Sequence, residues 1–329
     1  MKTLHGPSAL RLRLLLGGGL LLLLVWPWLS MLFGGDYLVS VMTRVLIFAI
    51  AAISLDLIVG YGALVSFGHA AFLGLGAYVA AISAFHASED LPLAFGFSGS
   101  ESLLVNLPLA MAAAALVACV TGLICLRTQG IHFIMITLAF AQMLFYLFVS
   151  LDAYGGEDGL VLPARNSLPL LDTADDRQFY FLCLGLLLLY LYLAHRLVNS
   201  RFGRVLRGSR ANETRMRALG YNTYGYRLVA YVIAATGAAL AGVLLASKTE
   251  FVDPGLFSWQ LSGELLVMVI LGGMGSLYGA VIGAAAFLLL EQWLAAWTEH
   301  WMFFLGPFLI LVVVRARHGL WGVLTGNGQ

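Results

Sequence analysis

The chain has 329 residues, of which 61% are hydrophobic and only 11% are charged, and its formal net charge is +1. Soluble domains carry about 25% charged residues, so this composition indicates a membrane protein and excludes an ordinary soluble enzyme. The nearly neutral charge also argues against the basic face of a nucleic-acid binder, so we expect lipid and no nucleic acid around the chain.

The first apolar stretch, 14–33, follows Arg11 and Arg13 and therefore resembles the beginning of a signal peptide. A signal peptide ends in small residues at its cleavage site, whereas this stretch continues into Trp26-Pro-Trp-Leu-Ser30. We therefore predict an uncleaved first membrane helix, preceded by a cytoplasmic N-terminus over 1–13.

Apolar stretches long enough to cross a bilayer as helices, which takes roughly 20 residues, recur along the rest of the chain. We predict an all-α polytopic membrane protein of about ten transmembrane helices or half-helices, with a membrane domain over 14–316 and a cytoplasmic tail over 317–329. The predicted segments are 14–33, 37–59, 68–86, 103–126, 130–151, 178–198, 226–247, 258–272, 276–292 and 300–316.

Two glycine-rich breaks interrupt this pattern, one over 60–69 and one over 271–277. Non-helical backbone at membrane depth is tolerated only where it is buried in protein or lines a cavity, and paired breaks in transporters mark the substrate path. The alternative is that these glycines allow close helix packing. Our candidates for a translocation pathway are Asp56, Gly60, Gly68, His69, Gln142, Gly272, Gly273 and Gly275.

Charged residues inside apolar segments are the other candidates, because placing a charge there is costly. Arg44 and Asp56 lie twelve residues apart on one segment, too far to pair within a helix. The Asp56 carboxylate is expected to contact His69 or the backbone amides of the first break, or to be a satisfied structural group at the cytoplasmic boundary. Glu264 and Glu291 are expected to lie near the membrane interfaces and to be solvated.

Arginine residues predict the orientation of the chain. Eight of the sixteen arginines fall within 196–227, where Glu213 is the single acidic residue, so this stretch is expected to be cytoplasmic. With ten segments, both termini are cytoplasmic and Arg315 and Arg317 also lie inside. A single long helix over 258–292 would place those two arginines outside, so the charges favour two short segments.

The cytoplasmic loop over 199–225 is predicted to contain a short helix from Asn212 to Leu219, because Gly220 suits the left-handed position after a helix end. Such a helix, held between two membrane helices, would lie along the cytoplasmic surface. The alternative is a basic loop that only sets topology or touches anionic lipid.

Motifs for catalysis are missing from the sequence. A P-loop needs a lysine directly after a glycine, and neither Lys2 nor Lys248 has one. Metalloprotease, C-x-x-C and nucleophile-elbow patterns are also absent, and Cys119, Cys125 and Cys183 lie in apolar segments as small hydrophobes. We therefore expect no enzymatic activity, cofactor or metal site in this chain.

Several blocks together resemble the permease subunits of branched-chain amino acid ABC importers, most closely the later of two paired permeases. They include the first break with its continuation to Tyr78, Ile136-Thr-Leu-Ala-Phe-Ala-Gln142, Gly155-Gly-Glu-Asp-Gly-Leu160 and the stretch 267–279. The block 204–231 looks like the loop that docks into the ATPase subunit. The resemblance thereby assigns to ATPase coupling Arg204, Arg210, Glu213, Ala218 and Gly220.

This resemblance implies a second permease subunit, cytoplasmic ATP-binding subunits and an extracytoplasmic solute-binding protein, in a bacterial-type inner membrane. It implies uptake of branched-chain or other apolar amino acids, with urea or short-chain amide import as the alternative. Asp56 and Tyr154 depart from the usual family residues and leave the solute open. An ion-coupled secondary transporter is the alternative of another class, and it would need carboxylates deep in the bilayer.

The predicted orientation is testable by cysteine labelling. After replacement of the three native cysteines, a Thr298→Cys variant should react with a membrane-impermeant maleimide from the outside, because position 298 follows the ninth segment. Labelling only from the cytoplasmic face would instead restore one long helix over 258–292.

Overall fold

The computed structural model describes residues 7–33, 35–89, 99–169, 171–298, 300, 303–307, 310 and 319–325. The predicted segment 300–316, with Arg315 and Arg317, lies largely outside these residues, as do both ends of the chain. The helices are α1 (Pro7–Phe33), α2 (Asp36–Val59), α3 (His69–Ser88), α4 (Leu103–Cys125), α5 (Ile131–Val149), α6 (Asp176–Asn199), α7 (Arg201–Ala211), α8 (Glu213–Ala218), α9 (Thr223–Thr249), α10 (Trp259–Gly272), α11 (Leu277–Ala295) and α12 (Gly319–Thr325).

Seven helices among the described residues are long and apolar enough to cross a membrane, namely α2, α3, α4, α5, α6, α9 and α11. Two shorter apolar helical stretches accompany them, Gly17–Met31 within α1 and the whole of α10. Strand structure in the described part is limited to β1 (Leu160–Val161) and β2 (Phe251–Val252). The chain is therefore an all-α polytopic membrane protein, as its composition predicts.

Helices α2, α3 and α9 form the buried centre of the bundle. In their most apolar 18-residue windows, 78%, 72% and 72% of the residues are buried, whereas α4, α5 and α6 bury only 22–28%. The outer helices instead expose large apolar side chains, which marks a surface that faces lipid. Examples are Leu116, Ile131, Met135, Tyr146, Leu189 and Tyr192.

Small residues allow α3 and α9 to approach closely. A Cβ atom at Gly76 would lie 2.3 Å from the carbonyl oxygen of Ala239, and one at Gly242 would lie 1.9 Å from that of Leu73. Both distances are shorter than any real contact, so the two backbones touch directly. Packing through small residues is the usual way in which helices associate inside a membrane, where lipid offers no hydrophobic driving force.

Both predicted glycine-rich breaks are confirmed as turns between helices. The first separates α2 from α3 over 60–68, and the second separates α10 from α11 over 273–276. Gly273 and Gly275 have φ angles of 113° and 83°, which residues with side chains rarely adopt. Ser276 caps α11, since its hydroxyl accepts from the Gly279 amide at 3.2 Å.

The loop between α5 and α6 covers the end of the bundle opposite these turns. It contains β1, which pairs antiparallel with β2 after α9. Arg165 fixes this loop further, since its guanidinium contacts Asp176 at 2.7 Å and Glu250 at 3.2 Å. These contacts hold the end of α9 close to the beginning of α6.

We expect Gly76→Ala to destabilise the bundle by about 1–3 kcal/mol, because the added methyl group overlaps the Ala239 carbonyl and forces α3 and α9 apart. Gly185→Ala on α6 is the matched control, since nothing lies within 4 Å of a Cβ atom there. Thermal unfolding in detergent, followed by size-exclusion fluorescence, should show a lower midpoint for Gly76→Ala alone. Equal midpoints would contradict the packing argument.

Candidate functional site

The arginine-rich loop folds into the short helices α7 and α8. Ser200 caps α7 by accepting from the Gly203 amide at 3.4 Å, and Asn212 caps α8 by accepting from the Arg215 amide at 2.9 Å. Gly220, with φ of 86°, follows the end of α8. The predicted short helix over 212–219 is thus confirmed.

We predicted no separate helix over 201–211, where the structure has α7. This helix is amphipathic: Val205, Leu206 and Ser209 are buried, whereas Arg201 and Arg204 are exposed. Apolar residues separated by basic residues at helical spacing are the signal that indicates such a surface helix.

Glu213, at the beginning of α8, binds groups from its own helix and from two other parts of the chain. Its carboxylate accepts from Arg227 on α9 at 2.7 Å, from Arg217 at 2.5 Å and from Gln129 in the α4–α5 loop at 3.0 Å. The Thr223 hydroxyl adds a contact of 3.2 Å. The carboxylate therefore ties the loop to the membrane helices, rather than pointing freely away from them.

The protonation of Glu213 follows from these neighbours. Partial burial of the carboxylate disfavours its charge, but Arg227, Arg217 and the hydrogen bonds from Arg227 and Thr223 together hold the pKa of Glu213 below its ordinary value. The group is ionised at neutral pH, so the tie is made of charge-assisted hydrogen bonds, which are stronger than neutral ones.

The opposite face of α8 and the residues that follow it are open. Thr214, Arg215 and Ala218 are exposed, and so are two large side chains, Leu219 at 66% and Tyr221 at 43%. Tyr and Arg are the residue types enriched at the centres of protein interfaces, and the exposed Leu219 adds apolar surface beside them. This face is the part of the loop that is free to contact another protein.

The two glycine-rich turns meet at the same end of the bundle. The Gly275 amide donates to Oδ1 of Asp56 at 2.7 Å, and Gly60 packs so closely on Gly275 that a Cβ atom would lie 2.3 Å from the Gly275 nitrogen. Asp56 is fully buried in the last part of α2, and its Oδ2 atom has no hydrogen-bond partner among the described residues. A side chain at Gly60 would therefore separate the turns.

Arg210 joins the loop to these turns. Its guanidinium donates to the carbonyl oxygen of Gly60, which is 150 residues away in sequence. A cavity of about 360 Å³ lies beside this contact and is lined by the two turns, by α7 and by the end of α6. The polar side chains that line it are Tyr61, His195, Asn199, Arg207, Arg210, Ser276 and Tyr278.

The expectation for Asp56 was correct in kind but wrong in its partner. The carboxylate binds a backbone amide, yet that amide belongs to the second break and not to the first, because the α10–α11 turn folds back against the end of α2. His69 does not contact Asp56; its Nε2 atom lies 2.8 Å from the Ser54 hydroxyl in the core.

The pathway candidates therefore fall into separate places. Asp56, Gly60 and Gly275 meet at the turns. Gly272 ends α10 beside them, and Gly273 begins the second turn and packs against Gly319, the first residue of α12. Gly68 and His69 are buried at the beginning of α3, where Gly68 packs on the Thr137 carbonyl of α5. Gln142 is half-buried on α5. Their role in a pathway stays a prediction.

Glu264 and Glu291 are not the solvated interfacial groups that we expected. Arg44 donates to Glu291 at 3.3 Å, which joins α2 to α11, and the Glu291 side chain is only 16% exposed. Glu264 is half-buried on α10. The Arg44–Glu291 pair could not be predicted, because its partners are 247 residues apart and no local spacing links them.

An all-α membrane bundle with paired glycine turns and a helical basic loop is typical of a transport permease, not of an enzyme. The chain belongs to the family described as the permease component of the branched-chain amino acid transport system, whose profile matches residues 37–313. The match covers the helices from α2 to α11, so the turns and the loop both lie within it.

Curated relatives agree with this assignment. The chain is 27% identical to the high-affinity branched-chain amino acid transport system permease protein LivM of Escherichia coli K12, over 97% of this chain and 79% of the relative. The LivM protein of Salmonella typhimurium is 26% identical over 95% and 76%. The autoinducer 2 import system permease protein LsrC of Photorhabdus laumondii is 30% identical over 39% of this chain and 41% of the relative. No solved structure matches the chain.

We expect Glu213→Gln to loosen the loop, because a neutral amide cannot hold both Arg227 and Arg217 as a carboxylate does. Backbone amides over 212–222 should exchange hydrogen faster in the variant at pH 7. The control is Arg215→Gln, since Arg215 is exposed on the open face of α8. Equal exchange rates in the two variants would contradict the tie.

The same tie predicts a dependence on pH. Because folding lowers the pKa of Glu213, its stabilisation is complete above the ordinary glutamate value of about 4.3 and is lost as the pH falls below it. The protection factor over 212–222, which corrects the exchange rate for the slower intrinsic exchange at low pH, should therefore fall on acidification in the wild type, while that of the Glu213→Gln variant should not.

Proposed function

We propose that the chain is the permease subunit of an ATP-driven importer for branched-chain or other apolar amino acids in a bacterial-type inner membrane. Family membership over 37–313 supports the permease role, and the names of the two LivM relatives support the solute class. The path would run between this chain and a second, similar permease subunit. Both termini would lie in the cytoplasm, on the same side as α7 and α8.

The observation that carries the coupling part of the proposal is the contact between Arg210 and Gly60. Through it, a loop outside the membrane touches a backbone turn inside the membrane domain, and that turn packs on the α10–α11 turn. ATPase subunits bound to the open face of α8 would therefore be connected to both glycine-rich turns by direct contacts.

Within this scheme the loop residues divide into two groups. Ala218, Gly220 and the exposed Leu219 belong to the surface that would bind an ATPase subunit. Arg210 and Glu213 act within the chain instead, since their side chains hold the loop against the turns and against α9. Arg204, exposed on α7, would extend the basic rim of the docking surface.

ATP hydrolysis is assigned to separate cytoplasmic subunits, and solute capture to an extracytoplasmic binding protein. The chain's own contribution is to convert closure of the ATPase subunits into alternate opening of the path. A path with rearranging turns needs backbone that is not locked into long helices, and the two breaks provide it.

Two other functions remain as alternatives. Import of urea or short amides uses the same architecture and differs only in the solute. An ion-coupled transporter is favoured by one observation, the half-buried Glu264 on α10, because carboxylates within the membrane serve proton and ion coupling.

Reconstitution of the complete importer in proteoliposomes distinguishes these functions. We expect labelled leucine to accumulate only when ATP and the ATPase subunits are present, and labelled urea not to accumulate. Urea uptake without leucine uptake would overturn the solute. Leucine uptake driven by a proton or sodium gradient in the absence of ATP would overturn the coupling.

Two variants in the same assay separate docking from transmission. Leu219→Glu should abolish co-purification of the ATPase subunits, because it places a charge in an exposed apolar contact. Arg210→Gln should leave co-purification of the ATPase subunits intact. It should reduce leucine uptake at least about tenfold, because it removes one charge-assisted contact. Loss of ATPase binding in Arg210→Gln would instead place Arg210 in the docking surface.

A further inference from the structure

A belt of polar side chains joins three helices in the half of the bundle opposite the glycine-rich turns. Tyr37, Ser40 and Arg44 follow one another at spacings of three and four residues, so they share one face of α2. Each binds a partner on α9 or α11: the pairs are Tyr37 with Gln292, Ser40 with Lys248 at 2.9 Å, and Arg44 with Glu291 at 3.3 Å.

The ion pair in this belt lies inside the helical layer. Arg44 is eight residues from the beginning of α2 at Asp36, or about 12 Å along the helix at 1.5 Å per residue. From Val45 to Val59 every residue of α2 is buried, and the Arg44 guanidinium lies over the Phe48 ring, 5.5 Å from its centroid. The pair thus marks the boundary between the partly exposed and the wholly buried part of α2.

Glu264 lies deeper than this pair. Ser262, two residues before it on α10, accepts from the Ala70 amide at 3.1 Å, and the neighbouring His69 contacts Ser54 in the buried part of α2. Glu264 is nevertheless within electrostatic range of both Arg44 and Glu291. Arg44, Glu291 and Glu264 therefore follow one another from the Asp36 end of α2 towards the centre of the bundle, with Lys248 as the second cation of the belt.

These charges are not closed off from their surroundings. The Arg44 side chain is 39% exposed, and a charged group within a spanning helix faces a water-filled path or another subunit, since exposure to lipid is too costly. Oε2 of Glu291 has no hydrogen-bond partner among the described residues. The site thus has a partly open donor in Arg44 and, beside it, a buried acceptor atom without a partner in Glu291.

We propose that Arg44, Glu291 and Glu264 form a site in the translocation path that recognises the charged groups of a zwitterionic α-amino acid. This inference rests on the proposed function and specifies its solute. The substrate carboxylate binds the Arg44 guanidinium, and the substrate ammonium binds Glu291 and Glu264. No proton or electron is transferred.

Charge balance explains why a zwitterion fits this site. A zwitterion that inserts between Arg44 and Glu291 replaces one ion pair by two, so every charge keeps a partner out of bulk water. A neutral solute such as urea offers no full charge and leaves the Arg44–Glu291 pair unbroken. An anion or a cation satisfies only one half of the site and leaves the other half unpaired, which is costly at this depth.

The site is tested by measuring binding to the membrane complex of permease and ATPase subunits in nanodiscs, without the solute-binding protein. The probes are leucine, leucinamide, which lacks the carboxylate, and 4-methylpentanoate, which lacks the ammonium. Wild type should bind leucine at least about tenfold more tightly than either analogue, because each analogue loses one charge-assisted contact. The variants are Arg44→Gln, Glu291→Gln and Glu264→Gln.

Each variant should respond to one substrate group. Arg44→Gln should weaken leucine about tenfold and leave leucinamide unchanged, whereas Glu291→Gln and Glu264→Gln should weaken leucine and leave 4-methylpentanoate unchanged. The control is Arg177→Gln, since Arg177 faces Asp36 of α2 in an exposed pair at 3.9 Å. It removes a charge contact from the same helix and should change none of these affinities.

Three results would overturn the site. The first is an equal loss of affinity for all three probes in the variants, which is the behaviour of a purely structural ion pair. The second is a leucine affinity in the variants equal to that of wild type. The third is the absence of leucine binding to the wild-type complex. Leucine uptake by the complete importer, measured in parallel, separates this failure from failure of the proposed function. If uptake is ATP-dependent while binding ignores Arg44 and Glu291, only the site is wrong.

Discussion

A backbone turn inside a bilayer has no water to bind, and each unpaired amide or carbonyl there costs several kcal/mol. The contact between Asp56 and Gly275 answers this constraint, because one buried carboxylate supplies the acceptor that the α10–α11 turn lacks. Arg210 does the same for the Gly60 carbonyl. These two contacts join α2, α7 and the α10–α11 hairpin at the glycine-rich turns.

Helix α2 links the two polar regions of the molecule. It carries Asp56 near one end and Arg44 towards the other, and every residue after Arg44 is buried as far as Val59. In the proposed function, a displacement of the turn at Gly60 would be transmitted along this stiff helix to the Arg44–Glu291 pair. Coupling of the α7–α8 loop to a distant charged site would then require only one rigid element and a contact at each end.

Much of the fold was predictable because apolar length, arginine distribution and glycine spacing act locally. The number of residues per span predicted the helices, and Gly220 predicted the end of α8. Contacts between distant segments were not predictable. Asp56 with Gly275 and Arg44 with Glu291 join residues 219 and 247 positions apart, and only packing brings them together. Helix α7 was missed for another reason: the large apolar side chains that it buries are only Val205 and Leu206, too few for a hydropathy window set to membrane spans.

The close contact between α3 and α9 limits how the molecule can rearrange. With the Gly76 and Gly242 positions in direct contact with carbonyls of the facing helix, axial sliding by even one residue would drive side chains into backbone atoms. These two helices must therefore move as one rigid body. In the proposed transport cycle, opening and closing would fall to the α10–α11 hairpin, and Gly273 and Gly275, with positive φ angles, would provide the hinge. A spectroscopically measured distance between α3 and α9 would stay constant through the whole proposed transport cycle. The distance between α9 and α11 would change during the cycle.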